Sequence, residues 1–572
     1  MFSQPTRLVC CIASTLMLSA CAERPQDYNA IAAAVPSSTV QSLEAQRAQV
    51  AEDLHTHTSV LASDAFGGRA PGTEGETLTI NYLVEQFQAA GLQPGNGDSW
   101  FQKVPITSVA VDPAVVLSIR GASTSRDLAY VEEMMVATQQ QLATVSVKDS
   151  ELVFVGYGIR APERGWDDYA GVDVTGKTVV MLINDPGYAT QDPLLFNGNT
   201  MTYYGRWTYK YEEAARQGAA AAIIVHQTAP AAYPWEVVSG SWMGPQIGLT
   251  ATDKNRDLLK AEAWMQEAVA QDLFAAAGQD FYRLSAAAAK PGFEAVPLGD
   301  LTLSVELSNT LDSTNSHNVL AMLPGTRYPD EAVIYSAHWD HLGTVEGAAG
   351  DDKIFNGASD NASGTAGLLA LANLHKAKGP SERSVMFLAV TAEESGLLGS
   401  KWYAENPVLP LESTVANLNM DNLYKNVAGR TKDIAVVGYG NSELEDYLAK
   451  AAERQDRVIT QEPTPEKGYY YRSDHLNFAR MGVPALYLTR AVDSREHGAA
   501  WGMAQQNAYT SQSYHKPSDE YAATWDLSGS AENVILLFDV ASQLLDSRRW
   551  PNWRQGNEFK SLRDATASLR MD

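Results

Sequence analysis

Histidine, aspartate and glutamate recur in five short segments of the second half of the sequence, each where an apolar run is expected to pass into a loop or helix. The segments read "YSAHWDHLG", "NGASDNASGTAG", "FLAVTAEESGLLGS", "NLNMDN" and "SYHKPSDE". Buried carboxylates are costly unless a cation accompanies them, and imidazole and carboxylate ligands suit zinc. The pattern therefore predicts a binuclear metal site. Its candidate residues are His338, Asp340, His341, Asp360, Glu393, Glu394, Asp421, Tyr514, His515 and Asp519.

One apolar run, residues 387–392, ends on two adjacent carboxylates, Glu393 and Glu394. Such neighbours repel each other unless a cation or a shared proton stabilises them. In a hydrolytic metal site, one carboxylate can bind the metal while the other accepts a proton from the attacking water. Two surface glutamates opening a helix are the alternative, but the preceding run is too apolar to end at an exposed edge.

The elements that must position these residues follow from the chain beyond residue 299. Short apolar β-type runs alternate there with helical stretches. Such βα units predict an α/β fold with a mixed, mostly parallel sheet flanked by helices. Because the carboxyl ends of parallel strands meet at one edge of the sheet, we expect the five segments to converge there.

Two further regions precede this part of the chain. Residues 46–124 are predicted to be the first part of the same domain, which resumes at 299–572. Residues 125–298 carry short β-type runs, one long helix candidate and no cluster of His, Asp and Glu. The stretch 286–300 reads as a linker. We therefore expect 125–298 to be an inserted, β-rich domain.

The five segments resemble the motifs of a known family, the co-catalytic zinc exopeptidases of the M28 type. The matching residues are "HWD", "ASDNASGTAG", "AEESGLLGS", "NMDN" and "YHKPSD". The resemblance covers about residues 46–124 and 299–545, and it implies the zinc exopeptidase fold. The inserted block is similar to the protease-associated (PA) domain found in the same proteins.

The resemblance implies a ligand set for two zinc ions. His338 and Asp421 would complete one site, Glu394 and His515 the other, and Asp360 would bridge both. A shared carboxylate offsets the repulsion between two closely spaced cations. Asn417-Leu418-Asn419 also fits the fourth motif loosely, but only Asp421 brings a carboxylate.

The resemblance also implies roles for the residues around the ligands. Glu393 would be the general base, and the Asp340 carboxylate would set the tautomer of His338. His341 is surplus and is expected to be structural or to line the cleft. Tyr514 would donate to the oxyanion, although the run "YYYRSDH" (469–475) competes for that role.

Two smaller expectations complete the resemblance. Asp474 and His475 would be structural or would support the ligands from behind. The peptide bond between Asp360 and Asn361 would be cis.

Three functions fit these residues. The first is a zinc aminopeptidase that removes residues from the amino end of peptides. The second is a carboxypeptidase for acidic C-terminal residues, which would need an arginine patch. The third is a metal-free binding protein of the same fold, which the intact ligand set disfavours. The candidates for an arginine patch are Arg430, Arg472, Arg490 and Arg495.

The first twenty-one residues resemble a bacterial lipoprotein precursor. Arg7 precedes the apolar stretch "LVCCIASTLML", and "LSAC" ends at Cys21. The resemblance implies that 1–20 is a signal peptide, that Cys21 carries a lipid, and that 21–45 is a tether. An uncleaved anchor or a plain cleaved signal are the alternatives. In such lipoproteins an aspartate after the lipidated cysteine favours retention in the inner membrane, and this chain has Ala22 there instead. We therefore expect a periplasm-facing outer-membrane lipoprotein, or otherwise a periplasmic or secreted protein.

Composition bounds the partners. The 572 residues, 45% hydrophobic and 19% charged, suit a folded protein of roughly two to four domains. A formal net charge of −25 without Lys or Arg runs argues against nucleic acid. All three cysteines fall within the first 21 residues, so His, Asp and Glu must hold any metal. We expect peptide substrates and membrane contact only through the lipid on Cys21. The sequence predicts no particular oligomeric state.

Overall fold

The structure is a computed structural model that describes residues 37–122, 124–345, 350–423, 429–489 and 491–570. The predicted signal peptide, Cys21 and the tether up to residue 36 lie outside these residues. The described residues from 45 onward belong to one compact unit. Within the described part of the chain, no helix combines the length and apolar character needed to cross a bilayer.

Two α-helices of the described residues precede the first strand, and beyond residue 299 helices alternate with strands, as the βα pattern predicts. Their bounds are α1 Ser37–Leu61, α2 Glu74–Ala89, α3 Pro186–Thr190, α4 Trp207–Arg216, α5 Thr228–Ala231, α6 Trp235–Trp242, α7 Glu267–Ala276, α8 Phe281–Ala288, α9 Ser363–Lys378, α10 Leu398–Glu405, α11 Leu444–Glu453, α12 His475–Arg480, α13 Ala499–Gln512, α14 Ser528–Leu545 and α15 Lys560–Ala565.

The strands fall into two large sheets and two short two-stranded ribbons. Their bounds are β1 Gln93–Pro94, β2 Phe101–Val111, β3 Leu117–Gly121, β4 Thr124–Leu128, β5 Met134–Ala137, β6 Thr144–Phe154, β7 Arg160–Ala161, β8 Trp166–Asp167, β9 Thr178–Leu182, β10 Ala221–His226, β11 Gln246–Leu249, β12 Ala261–Gln266, β13 Val296–Leu323, β14 Tyr328–His338, β15 Gly343–Thr344, β16 Ile354–Phe355, β17 Arg383–Val390, β18 Thr414–Asn419, β19 Asp433–Val436, β20 Val458–Gln461 and β21 Ala485–Thr489.

The first sheet has the order β11-β2-β13-β17-β14-β18-β21-β19-β20. Strands β17, β14, β18 and β21 run parallel to one another, and β13 and β19 are antiparallel to their neighbours in this group. The predicted mixed, mostly parallel sheet flanked by helices is confirmed. Its parallel strands end at a common edge, as the sequence pattern requires.

Helices cover both faces of this sheet because its central strands are apolar on both sides. Every residue of β17, "RSVMFLAV", is buried. On one face Ile334 and Met386 pack with Tyr403 of α10 and Phe478 of α12. On the other face α9 and α14 pack against β14 and β17. Continuous burial of this kind is typical of parallel strands between helical layers.

The second sheet has the order β4-β3-β13-β6-β9-β10-β12-β5. Residues between Val115 and Leu307 form hydrophobic clusters of their own around it. The block is therefore wider than the predicted 125–298, because β3 and the start of β13 pair into its sheet. The likeness of this block to a PA domain stays a prediction.

Strand β13 joins the two sheets. Residues 296–308 pair with β6, and residues 309–319 continue without a break as the partner of β2. The predicted linker at 286–300 is wrong in part, since α8 extends to Ala288 and β13 begins at Val296. A register shift between Pro297 and Thr302 accommodates the proline and glycine that suggested a linker.

A buried histidine lies beneath the first sheet. His375 of α9 is 2% exposed, and the Tyr335 hydroxyl lies 3.0 Å from its Nε2 atom. Burial, together with the Lys378 charge, lowers the pKa of His375 from 6.5 to about 3. The imidazole is therefore neutral in the folded protein, and its Nε2 atom forms a hydrogen bond with the Tyr335 hydroxyl.

We predict that His375 makes the fold sensitive to acid. Below pH 6.5 the unfolded chain binds a proton that the folded chain refuses, so the free energy of unfolding falls as the pH decreases toward 3. The loss from this residue between pH 7 and pH 5 is about 2 kcal/mol. His375→Gln keeps an acceptor near Tyr335 without titrating. Urea unfolding of both proteins in chelator should show the smaller pH dependence in the variant, and equal dependence would contradict the prediction.

Candidate active site

The sequence-predicted ligands meet at the carboxyl edge of the first sheet. His338 is the last residue of β14, Glu394 lies four residues beyond β17, and Asp421 lies two residues beyond β18. Asp360 lies in the turn that leads into α9, and His515 follows α13. Parallel strand ends thus position three of the five groups, while the other two come from loops above them.

The two carboxylate oxygens of Asp360 face different histidines, as the expected bridging role requires. Oδ1 lies 3.4 Å from Nε2 of His338, and Oδ2 lies 3.3 Å from Nε2 of His515. The two histidines are completed by different carboxylates. Asp421 Oδ1 lies 3.6 Å from His338 Nε2, and Glu394 Oε2 lies 3.1 Å from His515 Nε2. The site therefore consists of two donor groups that share Asp360.

These separations fit metal ligands. Two donors bound tetrahedrally to zinc at about 2.0 Å lie roughly 3.3 Å apart, close to the four distances above. Nε2 of His338 is also buried without a hydrogen-bond partner among the described residues. A buried polar atom of this kind calls for a partner, and a cation between it and the two aspartates supplies one. The donor set of imidazoles and carboxylates fits zinc.

The charges of the site show the same need for cations. Burial lowers the pKa of His338, but Glu393, Asp360 and Asp421 outweigh it and hold that pKa well above its usual value. Burial also lowers the pKa of His515, but Glu394 and Asp360 outweigh this effect and raise that pKa to about 10. Without a metal ion the two imidazoles are therefore protonated. Their positive charge offsets the carboxylates, as divalent ions would do.

The Asp340 side chain has a different task from the expected one. Nδ1 of His338 lies 3.1 Å from the main-chain oxygen of Asp340, whereas the carboxylate lies 3.8 Å away. The carboxylate instead accepts the main-chain N–H groups of Glu393 and Glu394, at 3.1 and 3.4 Å. Its backbone thus orients His338, and its side chain holds the turn that presents the two glutamates.

Glu393 lies at the same turn as Glu394 but is used differently. One oxygen of Glu393 belongs to a group with His338 and Glu394 whose donor atoms lie within 4.8 Å of one another. Burial raises the pKa of Glu393 well above its usual value, and the Asp421 and Glu394 charges raise it further. A carboxylate that binds protons this readily is suited to general base chemistry.

The tyrosines expected near the oxyanion differ in exposure. Tyr514 is 40% exposed, and its ring stacks on His515 with a centroid distance of 3.9 Å. In the competing run, Tyr470 packs against His475, and the Tyr471 hydroxyl donates to Glu558 at 3.1 Å. Tyr514 is therefore the better placed phenol for a group bound at the edge of the site.

The asparagines that also fitted the fourth motif lie below the site. Asn417 donates to the Ser336 hydroxyl, and Asn419 donates to the Ser473 hydroxyl. Asp474 accepts the Ser400 hydroxyl, and His475 lies on the aromatic cluster around Tyr470. These contacts are structural. The peptide bond between Asp360 and Asn361 is cis, as expected.

Two supporting residues have roles that the sequence did not reveal. The Asp519 carboxylate accepts the main-chain N–H groups of Ser359 and Asp360 at 3.0 to 3.2 Å, and it accepts the Tyr509 hydroxyl. Arg69, in the loop before α2, is 1% exposed and donates to main-chain oxygens on both sides of the site. Asp519 stood in a recognised motif, whereas Arg69 gave no signal beyond a single cation in a Gly/Pro loop.

The comparisons with known proteins agree with this geometry. Residues 318–538 match the family model described as Peptidase family M28. The chain is thus similar to this family over a stretch that includes the strand ends and loops carrying the five predicted ligands.

Individual relatives are similar over shorter stretches. The aminopeptidase NAALADL1 of Rattus norvegicus is 34% identical over 238 residues, which are 36% of this chain and 30% of the relative. The aminopeptidase YwaD of Bacillus subtilis (strain 168) is 34% identical over 96 residues, 17% of this chain and 18% of the relative. The matched region thus spans less than a third of the length of these curated relatives.

Among solved structures, the aminopeptidase from Aneurinibacillus sp. strain AM-1 superposes with a TM-score of 0.47 at 21% identity. The superposition covers 89% of this chain and 97% of that one.

We predict that Asp519 stabilises the turn that carries Asp360. Asp519→Ala removes the acceptor of two buried main-chain N–H groups, and the free energy of unfolding should fall by about 3 kcal/mol. Asp519→Asn keeps one acceptor oxygen and should lose roughly half as much. Urea unfolding of the metal-free proteins provides the measurement. Equal stability of the alanine variant and the parent would show that the turn does not depend on this carboxylate.

Proposed function

We propose that this protein is a binuclear zinc aminopeptidase that hydrolyses peptides at their amino ends. The observation that carries the proposal is the Asp360 carboxylate, which offers one oxygen to each histidine-carboxylate pair. His338 and Asp421 would hold one zinc ion, and Glu394 and His515 the other. The match to Peptidase family M28 and the similarity to aminopeptidases support the reaction class.

The reaction needs a nucleophile, a base and a donor to the oxyanion. Bound zinc would polarise the scissile carbonyl and make a water molecule more acidic. Glu393 takes the proton of that water as the water attacks, and later returns it to the departing amine. The Asp340 carboxylate keeps Glu393 in place by accepting its main-chain N–H.

Tyr514 is assigned to the oxyanion. Its phenol is positioned by stacking on His515, and a phenolic O–H donates to charge that develops on the carbonyl oxygen. Its ring also covers one side of His515. A positioned donor is most effective at a site from which most water is excluded, as burial of the neighbouring carboxylates supports.

The alternative carboxypeptidase function is less well supported. It needs an arginine patch, but Arg430 pairs with Glu532 at 2.5 Å, and Arg495 donates to main-chain oxygens at 455 and 456. Arg472 lies over the Tyr469 ring, and Arg490 lies outside the described residues. Two of the four candidates are thus engaged in structural contacts.

We predict that Glu393→Gln lowers kcat by about 10² to 10⁴-fold while zinc content stays unchanged, because the variant loses the proton acceptor but keeps the ligands. Hydrolysis of an aminoacyl anilide measures kcat, and elemental analysis measures zinc. Glu405→Gln, at an exposed position on α10, is the matched control and should behave as the parent does. Unchanged turnover of the Glu393 variant would remove this residue from the mechanism.

The same assay separates the alternatives. Peptides with a blocked amine should resist the enzyme, and peptides with an amidated carboxyl end should be cleaved. The reverse pattern would favour a carboxypeptidase. Hydrolysis that persists after exhaustive chelation would exclude metal dependence.

We also propose that the protein is exported and anchored by a lipid on Cys21. The proposal rests on the lipoprotein-like sequence of residues 1–21. Mass spectrometry of the envelope fraction should show a lipidated Cys21 as the first residue, and Cys21→Ser should leave the membrane fraction. A mature protein that retains residues 1–20 would refute this.

A further inference from the structure

We propose that His341 is a positioning residue that fixes Glu394 so that only one of its carboxylate oxygens faces the metal. The inference deepens the proposed function and rests on it for the identity of the bound ion. His341 follows β14 and is 1% exposed. It was expected to be structural or to line the cleft, and no ligand role is assigned to it.

The two oxygens of Glu394 have different neighbours. Oε1 lies 2.6 Å from Nδ1 of His341, and Oε2 lies 3.1 Å from Nε2 of His515. The histidines flank the carboxylate, with their rings edge to face at a centroid distance of 5.8 Å. A hydrogen bond from His341 therefore occupies Oε1 and leaves Oε2 directed toward the ion.

The direction of this hydrogen bond follows from the other ring nitrogen. Nε2 of His341 is buried and has no hydrogen-bond partner among the described residues. A proton on that atom would be unsatisfied, whereas a proton on Nδ1 meets a carboxylate. His341 therefore donates through Nδ1.

Contacts with Arg69 and with the Gly357 backbone hold the segment that carries His341. Arg69 donates through Nε to the main-chain oxygen of Trp339, and through its two terminal nitrogens to those of Asn356 and Gly357. The His341 N–H lies 3.4 Å from the Arg69 oxygen. The buried guanidinium thus ties the loop that carries His341 to the turn that precedes Asp360.

The backbone at Gly357, which has φ of 53°, lies next to the His341 ring. A Cβ atom at this position would lie 2.5 Å from Cδ2 of His341, closer than such atoms approach. Glycine therefore permits both the left-handed backbone and the close approach of the ring. The Gly357 backbone thus packs directly against the edge of the imidazole.

A direct ligand role for His341 is the competing interpretation. Donor atoms of His341, Asp360 and Glu394 lie within 4.8 Å of one another. However, two donors on one zinc ion are separated by roughly 3.3 Å, and Nδ1 lies only 2.6 Å from Oε1. That distance is typical of a charge-assisted hydrogen bond. The geometry favours support of Glu394 over ligation.

The test uses two amides that place a nitrogen at different points of the imidazole. In His341→Asn, Nδ2 is as far along the side chain as Nδ1 of histidine, and it can donate to Oε1. In His341→Gln, the nitrogen corresponds to Nε2, which has no partner in the structure. His341→Leu removes the donor altogether.

We expect the leucine and glutamine variants to bind the ion at Glu394 and His515 about 10 to 100-fold more weakly, with the ion at His338 and Asp421 retained. The asparagine variant should recover most of the affinity. Titration of the metal-free proteins with Co²⁺, followed by calorimetry and visible absorption, measures both sites. Thermal unfolding of the metal-free variants checks the fold. If the His341→Leu variant does not fold, comparison of the Asn and Gln variants still tests the role of His341.

Equal weakening in the asparagine and glutamine variants would overturn the proposal, as would equal loss at both sites. A changed Co²⁺ absorption band in the fully loaded asparagine variant would instead identify His341 as a ligand. The proposed function can fail separately. A parent protein that binds two Co²⁺ ions but cleaves no peptide would contradict the aminopeptidase proposal, and the result for His341 would remain valid.

Discussion

The concentration of buried negative charge at one edge of the sheet is the constraint on which the rest of the structure depends. Asp340, Asp360 and Asp519 are buried there beside Glu393 and Glu394, in a setting where each isolated charge is costly. The protein itself supplies three groups of opposite sign, namely His338, His515 and Arg69. The remaining imbalance explains why the site suits divalent cations and why each carboxylate is held by main-chain or side-chain donors.

The fold meets this constraint by dividing the work. The parallel strands bring His338, Glu394 and Asp421 together, because their carboxyl ends share an edge. The loops supply the groups that hold those ligands at a fixed distance. Asp519 orders the turn at Asp360, and the Asp340 carboxylate orders the turn at the two glutamates. The separations that fit zinc are thus a product of hydrogen bonds to backbone, which sequence patterns do not display.

Much of this arrangement was predictable from sequence, and the exceptions have physical causes. The candidate ligands lie in motifs at strand ends, so residue type and apolar context pointed to the five segments, and the family resemblance implied which residues in them bind metal. The contact between Asp340 and His338 runs through a carbonyl, which every residue possesses. Arg69 acts through four main-chain oxygens and needs no partner side chain that a motif could reveal. Strand β13 contains Pro297 and Gly299, and both residues suggest an interruption that the backbone avoids with a register shift.

The unbroken course of β13 through both sheets sets a limit on how the chain can be divided. The match to the family model starts at residue 318, inside this strand and near the end of its pairing with β2. A fragment that begins there would lack β2 and most of β13, so the short remainder of β13 would form an unpaired sheet edge that could pair with other chains. The boundary of the family match therefore differs from the boundary that the strand pairing sets. A shorter chain that keeps all of β13 must also keep the second sheet, because residues 296–308 of the strand pair there.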